Sequence, residues 1–481
     1  MEAPRTMRAA LSGHRYSGIA LWTHHQARET SRSKHRQSRT NQRKIASSAS
    51  GTLLRMARDM LAKRIVLATL GSPGDLHPFL AIGAELRARG HQPIVATSAL
   101  YRVQVAAAGL GFAPVRPDRT PGQQDPDFVD RVVRDRVSPA AVFRAMFLPS
   151  LRDSLEDLLV AVEGADAVVT HTIASAARLA AEARGLPWIS VVMQPMGYLS
   201  AYEPPLVGPS VISWALRSLG PVVTRPVLNL ARRLTDSWAM EWHALRAEWG
   251  LKPVRDHPLW EGQHSPVRSL GLFPRVLGEP QPDWPPQARV TGFPFYRLPH
   301  RSLDPTLRQF LENGEPPLVF TLGTTAINDP GSFFEESRAV VRRLGQRAVF
   351  FVGDGRTETC EDISGDVIAV SYAPHELVFP FARVIVHQGG IGTLSESLLA
   401  GKPMLIMPYG HDQADNAWRA SRLGVARVVS RGRYRADVVG RQLSRLLDDP
   451  MPRAAALRVS REVSRERGCE SAADLIEAAL C

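Results

Sequence analysis

Val384–Asn416 reads VIVHQGGIGTLSESLLAGKPMLIMPYGHDQADN. Val384 to Val386 is a β-branched apolar run, which predicts a buried parallel strand. His387 and the Gly-rich turn Gly389-Gly390-Ile391-Gly392-Thr393 follow, and the turn opens a helix that runs to about Leu399. A second apolar strand, Met404 to Met407, leads into the polar cluster His411-Asp412-Gln413-Ala414-Asp415-Asn416. Strand, turn, helix and strand in this order build a parallel sheet. They also set a helix N-terminus and several hydrogen-bonding side chains at one sheet edge. The ligand implied is a phosphorylated nucleotide.

The same alternation extends in both directions. Upstream, Leu318 to Thr321, Ala348 to Val352 and Val367 to Val370 are further short apolar strands. A first series lies nearer the N-terminus: Arg64 to Thr69, a helix over 79–89 ended by Gly90, Gln92 to Ser98, Ala165 to Thr170, and Trp188 to Met193. Between Gly197 and Leu251 helical patterning dominates, and Pro204, Pro205, Pro209, Pro221 and Pro226 are expected to break it into pieces. Glu279 to Pro299 is Pro-rich and reads as a linker between two αβ halves. The fold class is therefore α/β in two halves of comparable size.

The net charge of +12 is unevenly placed. Residues 1–60 hold twelve Lys and Arg against three acids, whereas the other 421 residues carry 47 basic and 44 acidic groups. The body is nearly neutral, so a basic nucleic-acid face is not supported. The basic segment reads as a disordered or mis-assigned extension, as an organelle transit peptide, or as an arm for anionic lipid or nucleic acid. Cys360, Cys469 and Cys481 have neither metal-ligand nor redox spacing, which fits a reducing compartment. No apolar run approaches the ~20 residues of a spanning helix.

Several sites have side chains suited to chemistry, each with a plain structural alternative. The glycines Gly389, Gly390 and Gly392 let backbone N–H groups approach an anion, with His387 as a further donor, or they form a tight structural turn. Thr324, in the loop after LVFT, faces the same phosphates or caps a helix. Tyr372, before Ala373-Pro374 at a strand end, is a shelf for a base or a packed turn residue. Asp412, Gln413 and Asn416 pair well with vicinal hydroxyls, or simply begin a solvated helix. In GSPGDLHP (71–78), Asp75 and His77 are the titratable groups. Either suits a general base, and Asp75 equally suits a helix cap.

Taken together, these segments resemble the family 1 glycosyltransferases of the GT-B fold. The resemblance covers nearly the whole chain from about residue 62. It looks closest to the rhamnosyltransferases that build rhamnolipids. The stretches GSPGDLHPFLAIGAELRARGH, DWPPQARVTGFPFY, LRQFLENGEPPLVFTLGTT, HQGGIGTLSE and GHDQADN carry it. It implies two Rossmann-like domains facing a cleft and an inverting, metal-independent transfer of a hexosyl group. The donor implied is a nucleoside-diphosphate sugar of the dTDP-rhamnose or UDP-glucose type, as substrate rather than cofactor. The acceptor is a hydrophobic small molecule or lipid.

The resemblance places the diphosphate on His387, Gly390, Gly392, Thr393 and Thr324, the base on Tyr372, and the sugar on Asp412 and Gln413, with Gly389 and Asn416 also on the donor side. It favours Asp75 over His77 as the base, since plant members carry His at the position of Asp75 and antibiotic-type relatives carry Asp. Glu396 is the candidate for the ribose, although plant members place that Glu one residue earlier. The implied layout is an extension over 1–60, an acceptor domain over 61–280, a linker over 281–316, a nucleotide-sugar domain over 317–455, and a final helix over 456–481 packing back on the first domain. The expected location is cytoplasmic, with peripheral contact at the inner face of a membrane. A sugar-nucleotide 2-epimerase, which would need no acceptor pocket, and a catalytically silent nucleotide-sugar-binding subunit are the alternatives.

Overall fold

The computed structural model describes residues 62–118, 148–206, 211–297, 301–323, 326–353 and 365–480. The segment 1–60 and Thr324 lie outside the described residues. In the first half, strands β1 (Arg64–Ala68), β2 (Gln92–Thr97), β3 (Gly111–Pro114), β4 (Ala167–His171), β5 (Trp188–Val192), β6 (Arg268–Gly271) and β7 (Ala288–Val290) form one parallel sheet, in the order β3-β2-β1-β4-β5-β6-β7. Its helices include α1 (Pro73–Ala88), α2 (Leu151–Ala161), α3 (Ala176–Ala183), α4 (Val211–Leu234) and α5 (Met240–Glu248).

The second half repeats the plan. Strands β8 (Leu318–Thr321), β9 (Ala348–Phe351), β10 (Val367–Val370), β11 (Val384–His387), β12 (Met404–Ile406) and β13 (Ala426–Val428) order as β10-β9-β8-β11-β12-β13, again all parallel. Helices α6 (Pro305–Glu312), α7 (Phe333–Leu344), α8 (Ile391–Leu399), α9 (Gln413–Arg422), α10 (Ala436–Asp448), α11 (Pro450–Val463) and α12 (Gly468–Glu477) accompany it. Central strands such as β4, β5, β8 and β11 are buried at every residue. That is why they read as unbroken apolar runs rather than alternating ones. In each sheet the strand order reverses once, between β1 and β4 and between β8 and β11. Open parallel sheets bind ligands beyond the strand ends at such points.

Two expectations are corrected. The stretch 281–316 is not a bare linker. Ala288–Val290 adds a seventh strand to the first sheet, and Pro305–Glu312 is helical. The flanking prolines hid a three-residue edge strand. Pro226 does not break its helix either, whereas the break expected at Pro221 is present. The kink falls at Gly220 (φ 72°, ψ 175°), and Pro221 starts the next helical segment, where its missing N–H costs no bond. Thr224 Oγ1 donates to the carbonyls of Leu216 and Gly220 across the kink.

The halves share apolar packing. Val192, Tyr198, Phe273, Trp284 and Phe293 form one buried cluster with Ile391, Leu394, Leu398, Ile406 and Val459. The chain also crosses back at its end. Ala472, Ala473 and Ile476 of α12 lie in one core with Leu76, Phe79 and Leu80 of α1. Arg89 pairs with Asp474 and Glu477 beside this contact. Ile476→Ala is expected to lower the stability of the chain by about 2–5 kcal/mol, through lost burial and an unfilled cavity. Urea unfolding of the two proteins measures this.

Candidate active site

The site is built from the two sheet edges where strand order reverses. On the second sheet, β11 ends in His387, and the backbone turns sharply into α8. Gly389 has φ +94°, and a Cβ there would lie 2.8 Å from Ile406 Cγ2 and 3.1 Å from the Gln413 carbonyl oxygen. Only glycine fits. Gly390 is the N-cap of α8 and brings no side chain to it, so the first amides of the helix, Ile391, Gly392 and Thr393, have no capping group. An uncapped N-terminus presents N–H donors and partial positive charge to an anion.

His387 stands beside these amides, fully buried. The Gly389 N–H donates to its Nδ1 at 3.0 Å. That bond makes Nδ1 the acceptor and puts the ring proton on Nε2. Nε2 is buried and has no partner among the described residues, and the same holds for Gln388 Oε1 and Asn416 Oδ1. Burial pushes the His387 pKa down to about 3, so the ring is a neutral donor and not a cation. Buried polar atoms without partners are expensive unless a ligand satisfies them.

Asn416 locks α9 to this turn. Its Nδ2 donates to the Gly389 carbonyl at 3.0 Å and to Asp412 Oδ2 at 2.6 Å. Gln413 Oε1 accepts from the Tyr409 and Gly410 amides, which shapes the loop before the helix. Burial pushes the Asp412 carboxyl up to about 7. The negative charges of Asp75 and Asp415 act in the same direction, and the Asn416 bond opposes them. Tyr372, at the end of β10, is 63% exposed rather than packed into its turn. Glu396 is engaged, because Arg297 grips both its oxygens at 2.6 and 2.9 Å. A ribose at Glu396 would therefore share that carboxylate with Arg297.

On the first sheet, Asp75 sits in the first turn of α1. Its Oδ2 accepts from the Ser72 amide and hydroxyl, both at 2.8 Å. The capping reading holds, and both bonds use one oxygen, leaving Oδ1 out of the cap. The charge of Asp75 acts on His411 and Asp412 of the second half and on His171 at the end of β4. The structure thus brings Asp75 and the Asp412 cluster, 337 positions apart in sequence, to one place. His77 is differently placed. Its ring stacks on Tyr296 at 5.3 Å, and burial, then the nearby Arg301, holds its pKa at about 4.

Sequence reading missed four residues here. Gln388 is wedged between two loops, since a Cβ on Gly323 or Gly390 would meet its Nε2 at 2.1 or 2.9 Å. A polar residue after a buried strand was the available signal. His171 is buried at a strand end with Nδ1 unpartnered. Arg217 of α4 and Arg419 of α9 both bind the fully buried Asp415, and Arg419 also binds Glu203. Nothing in local spacing shows that Arg217 reaches Asp415.

The comparisons with known proteins fit this geometry. Residues 65–190 match the glycosyltransferase family 28 N-terminal domain, and residues 339–478 match the erythromycin biosynthesis protein CIII-like C-terminal domain. The O-mycaminosyltylonolide 6-deoxyallosyltransferase of Streptomyces fradiae is 31% identical over 438 residues, covering 86% of this chain and 97% of the relative. The chain belongs to the erythromycin CIII-like, GT-B glycosyltransferases. It is a transferase enzyme of two parallel-sheet α/β domains. A sterol 3-beta-glucosyltransferase of Arabidopsis thaliana is 25% identical over 372 residues, covering 73% of this chain and 57% of the relative. Among solved structures, the kitacinnamycin glycosyltransferase superposes with a TM-score of 0.64 at 25% identity, over 87% of this chain and all of that one. VinC in complex with dTDP superposes at 0.62 and 19% identity, over 86% and 99%, and shows the shared fold.

Two tests follow for this glycosyltransferase. His387 stays neutral in the fold, while the unfolded chain binds a proton below its ordinary pKa of 6.5. Between pH 6.5 and about 3 the unfolded state therefore holds the extra proton, and stability falls as pH falls. His77, His264 and His375, each held at about 4 chiefly by burial, act in the same direction. Urea midpoints are expected to drop from neutral pH towards mildly acidic pH, and His387→Gln to remove up to about 1.4 kcal/mol per pH unit of that slope. Asp415→Asn leaves the buried Arg217 without its carboxylate and Arg419 with Glu203 alone. It is expected to cost about 3–5 kcal/mol, read from the same unfolding curves.

Proposed function

We propose that the enzyme moves a hexosyl group, with inversion and without a metal, from a nucleoside-diphosphate sugar to a hydroxyl of a hydrophobic acceptor. The observation that carries this reading is the placement of Asp75. Its charge acts on Asp412, whose cluster is tied through Asn416 to the turn that carries an uncapped helix N-terminus and a buried imidazole N–H without a partner among the described residues.

Each group then has a task. The acceptor hydroxyl oxygen attacks the anomeric carbon, and Asp75 takes its proton as the new C–O bond forms. The bond from the anomeric carbon to the phosphate oxygen breaks, and the electron pair leaves on the nucleoside diphosphate. The amides after Gly390 and the Nε2–H of His387 stabilise that growing negative charge, with Thr324 joining them. Asp412, Gln413 and Asn416 hold the sugar hydroxyls, and exposed Tyr372 offers a face for the base. In this assignment residues 61–280 choose the acceptor and 317–455 the donor. His77, held neutral against Tyr296, is the lesser candidate for the base.

The relatives act on a macrolide and on sterols, which supports a bulky apolar acceptor. One neighbour's structure holds dTDP, which supports a dTDP-sugar of the 6-deoxyhexose kind, rhamnose included; UDP-glucose is the other donor type in reach. Asp75→Asn keeps an oxygen for the Ser72 cap, so the fold is expected to survive. Transfer is expected to fall at least ~10²-fold, while the thermal shift given by dTDP or UDP stays as in the wild type. Turnover unchanged in this variant removes Asp75 from the base role.

A further inference from the structure

Helix α4 turns outward a face that a folded chain ordinarily hides. Beyond the Gly220 kink, Val222 is 85% exposed, Leu234 73%, Leu230 57%, Val223 43% and Val227 40%, and Pro226 is exposed with them. At about 100° per residue these six positions fall within one arc of roughly 140°. Isolated exposed aliphatics are normal on a surface, but a contiguous patch of this kind marks an interaction site.

The charge of the same helix says what the patch fits. Val211–Leu234 contains four Arg and no Asp or Glu. Two of the arginines are engaged, Arg217 with Asp415 and Arg232 with Glu261 and Asp236. Arg225 and Arg233 are exposed, the first about 60° outside the apolar arc and the second within it. Apart from Arg233, the exposed side chains of the arc are all aliphatic. Protein interfaces are anchored by aromatic side chains and directional hydrogen bonds, and hydrocarbon needs neither. An aliphatic arc with arginines alongside is the pattern of a helix lying in the headgroup layer of an anionic membrane.

We propose that Pro221–Leu234 is an interfacial docking helix, with its Val and Leu face in the acyl boundary and Arg225 and Arg233 among acidic headgroups. No helix among the described residues is long and apolar enough to cross a bilayer, so the contact is peripheral. The geometry also relates this surface to the site. On the other side of the kink, Arg217 is fixed to Asp415 of α9, the helix that carries Gln413 and Asn416. A bilayer under α4 therefore lies beside the cleft.

The test uses the full-length protein and flotation with two kinds of vesicle, phosphatidylcholine alone and phosphatidylcholine mixed with phosphatidylglycerol. The wild type is expected to float with the anionic vesicles. The variant V222D/L230D is expected to lose roughly tenfold or more of that binding, and R225E/R233E to lose the preference for phosphatidylglycerol. Both variants keep the wild-type melting temperature and the thermal shift with dTDP or UDP, which separates lost docking from lost folding and from any fault in the proposed reaction. Failure of the wild type to bind either vesicle overturns the proposal. So does undiminished binding by V222D/L230D, which would place the lipid contact elsewhere, the basic segment 1–60 included. A dimer in light scattering that V222D/L230D dissolves would assign this face to a second copy of the chain instead.

Discussion

The peptide of Gly389 is the joint on which the candidate site of the second half depends. Its N–H fixes the tautomer of His387, and its carbonyl receives Asn416 from α9. One residue thus aligns the strand end, the open N-terminus of α8 and the polar start of α9. The constraint is steric before it is chemical, because any side chain at 389 would run into Ile406 and the backbone of Gln413. Preorganised donors of this kind need no rearrangement when negative charge develops, and so they favour a transition state over bulk water.

The first half is held to this joint by two different means. A shared apolar cluster joins Tyr198, Phe273 and Trp284 to Leu394 and Ile406. A buried ionic network joins Arg217 and Glu203 to Asp415 and Arg419. Apolar packing tolerates small shifts, whereas a buried carboxylate between two guanidinium groups does not. The network therefore fixes the register of α9 relative to α4. The helix that presents Gln413 and Asn416 is set by contacts from the other half of the chain.

Much of the fold was legible in sequence. Parallel strands buried on both faces announce themselves as short apolar runs, and the ends of β8 to β12 fall within a residue or two of the expected places. The Gly-rich turn was legible because glycine is demanded there by backbone geometry. Three things were not. β7 is three residues long between prolines, too short for any period to show. Pro226 was expected to break its helix, yet the helix runs on through it. Gln388 gave little signal, since its importance lies in close approach to Gly323, 65 residues earlier.

By itself the sequence determined the α/β class, the two-half plan, the Gly-rich turn and the candidates Asp75 and the Asp412 cluster. These are local properties, written in apolar runs, glycine spacing and side-chain type. Only the tertiary structure decided which groups meet: Asp75 with Asp412, His77 with Tyr296, Glu396 with Arg297, and Arg217 with Asp415. Local spacing carries no information on such meetings. They follow from how two sheets, each with its strand order reversed once, turn their carboxyl ends towards each other, and from the closing of α12 over α1.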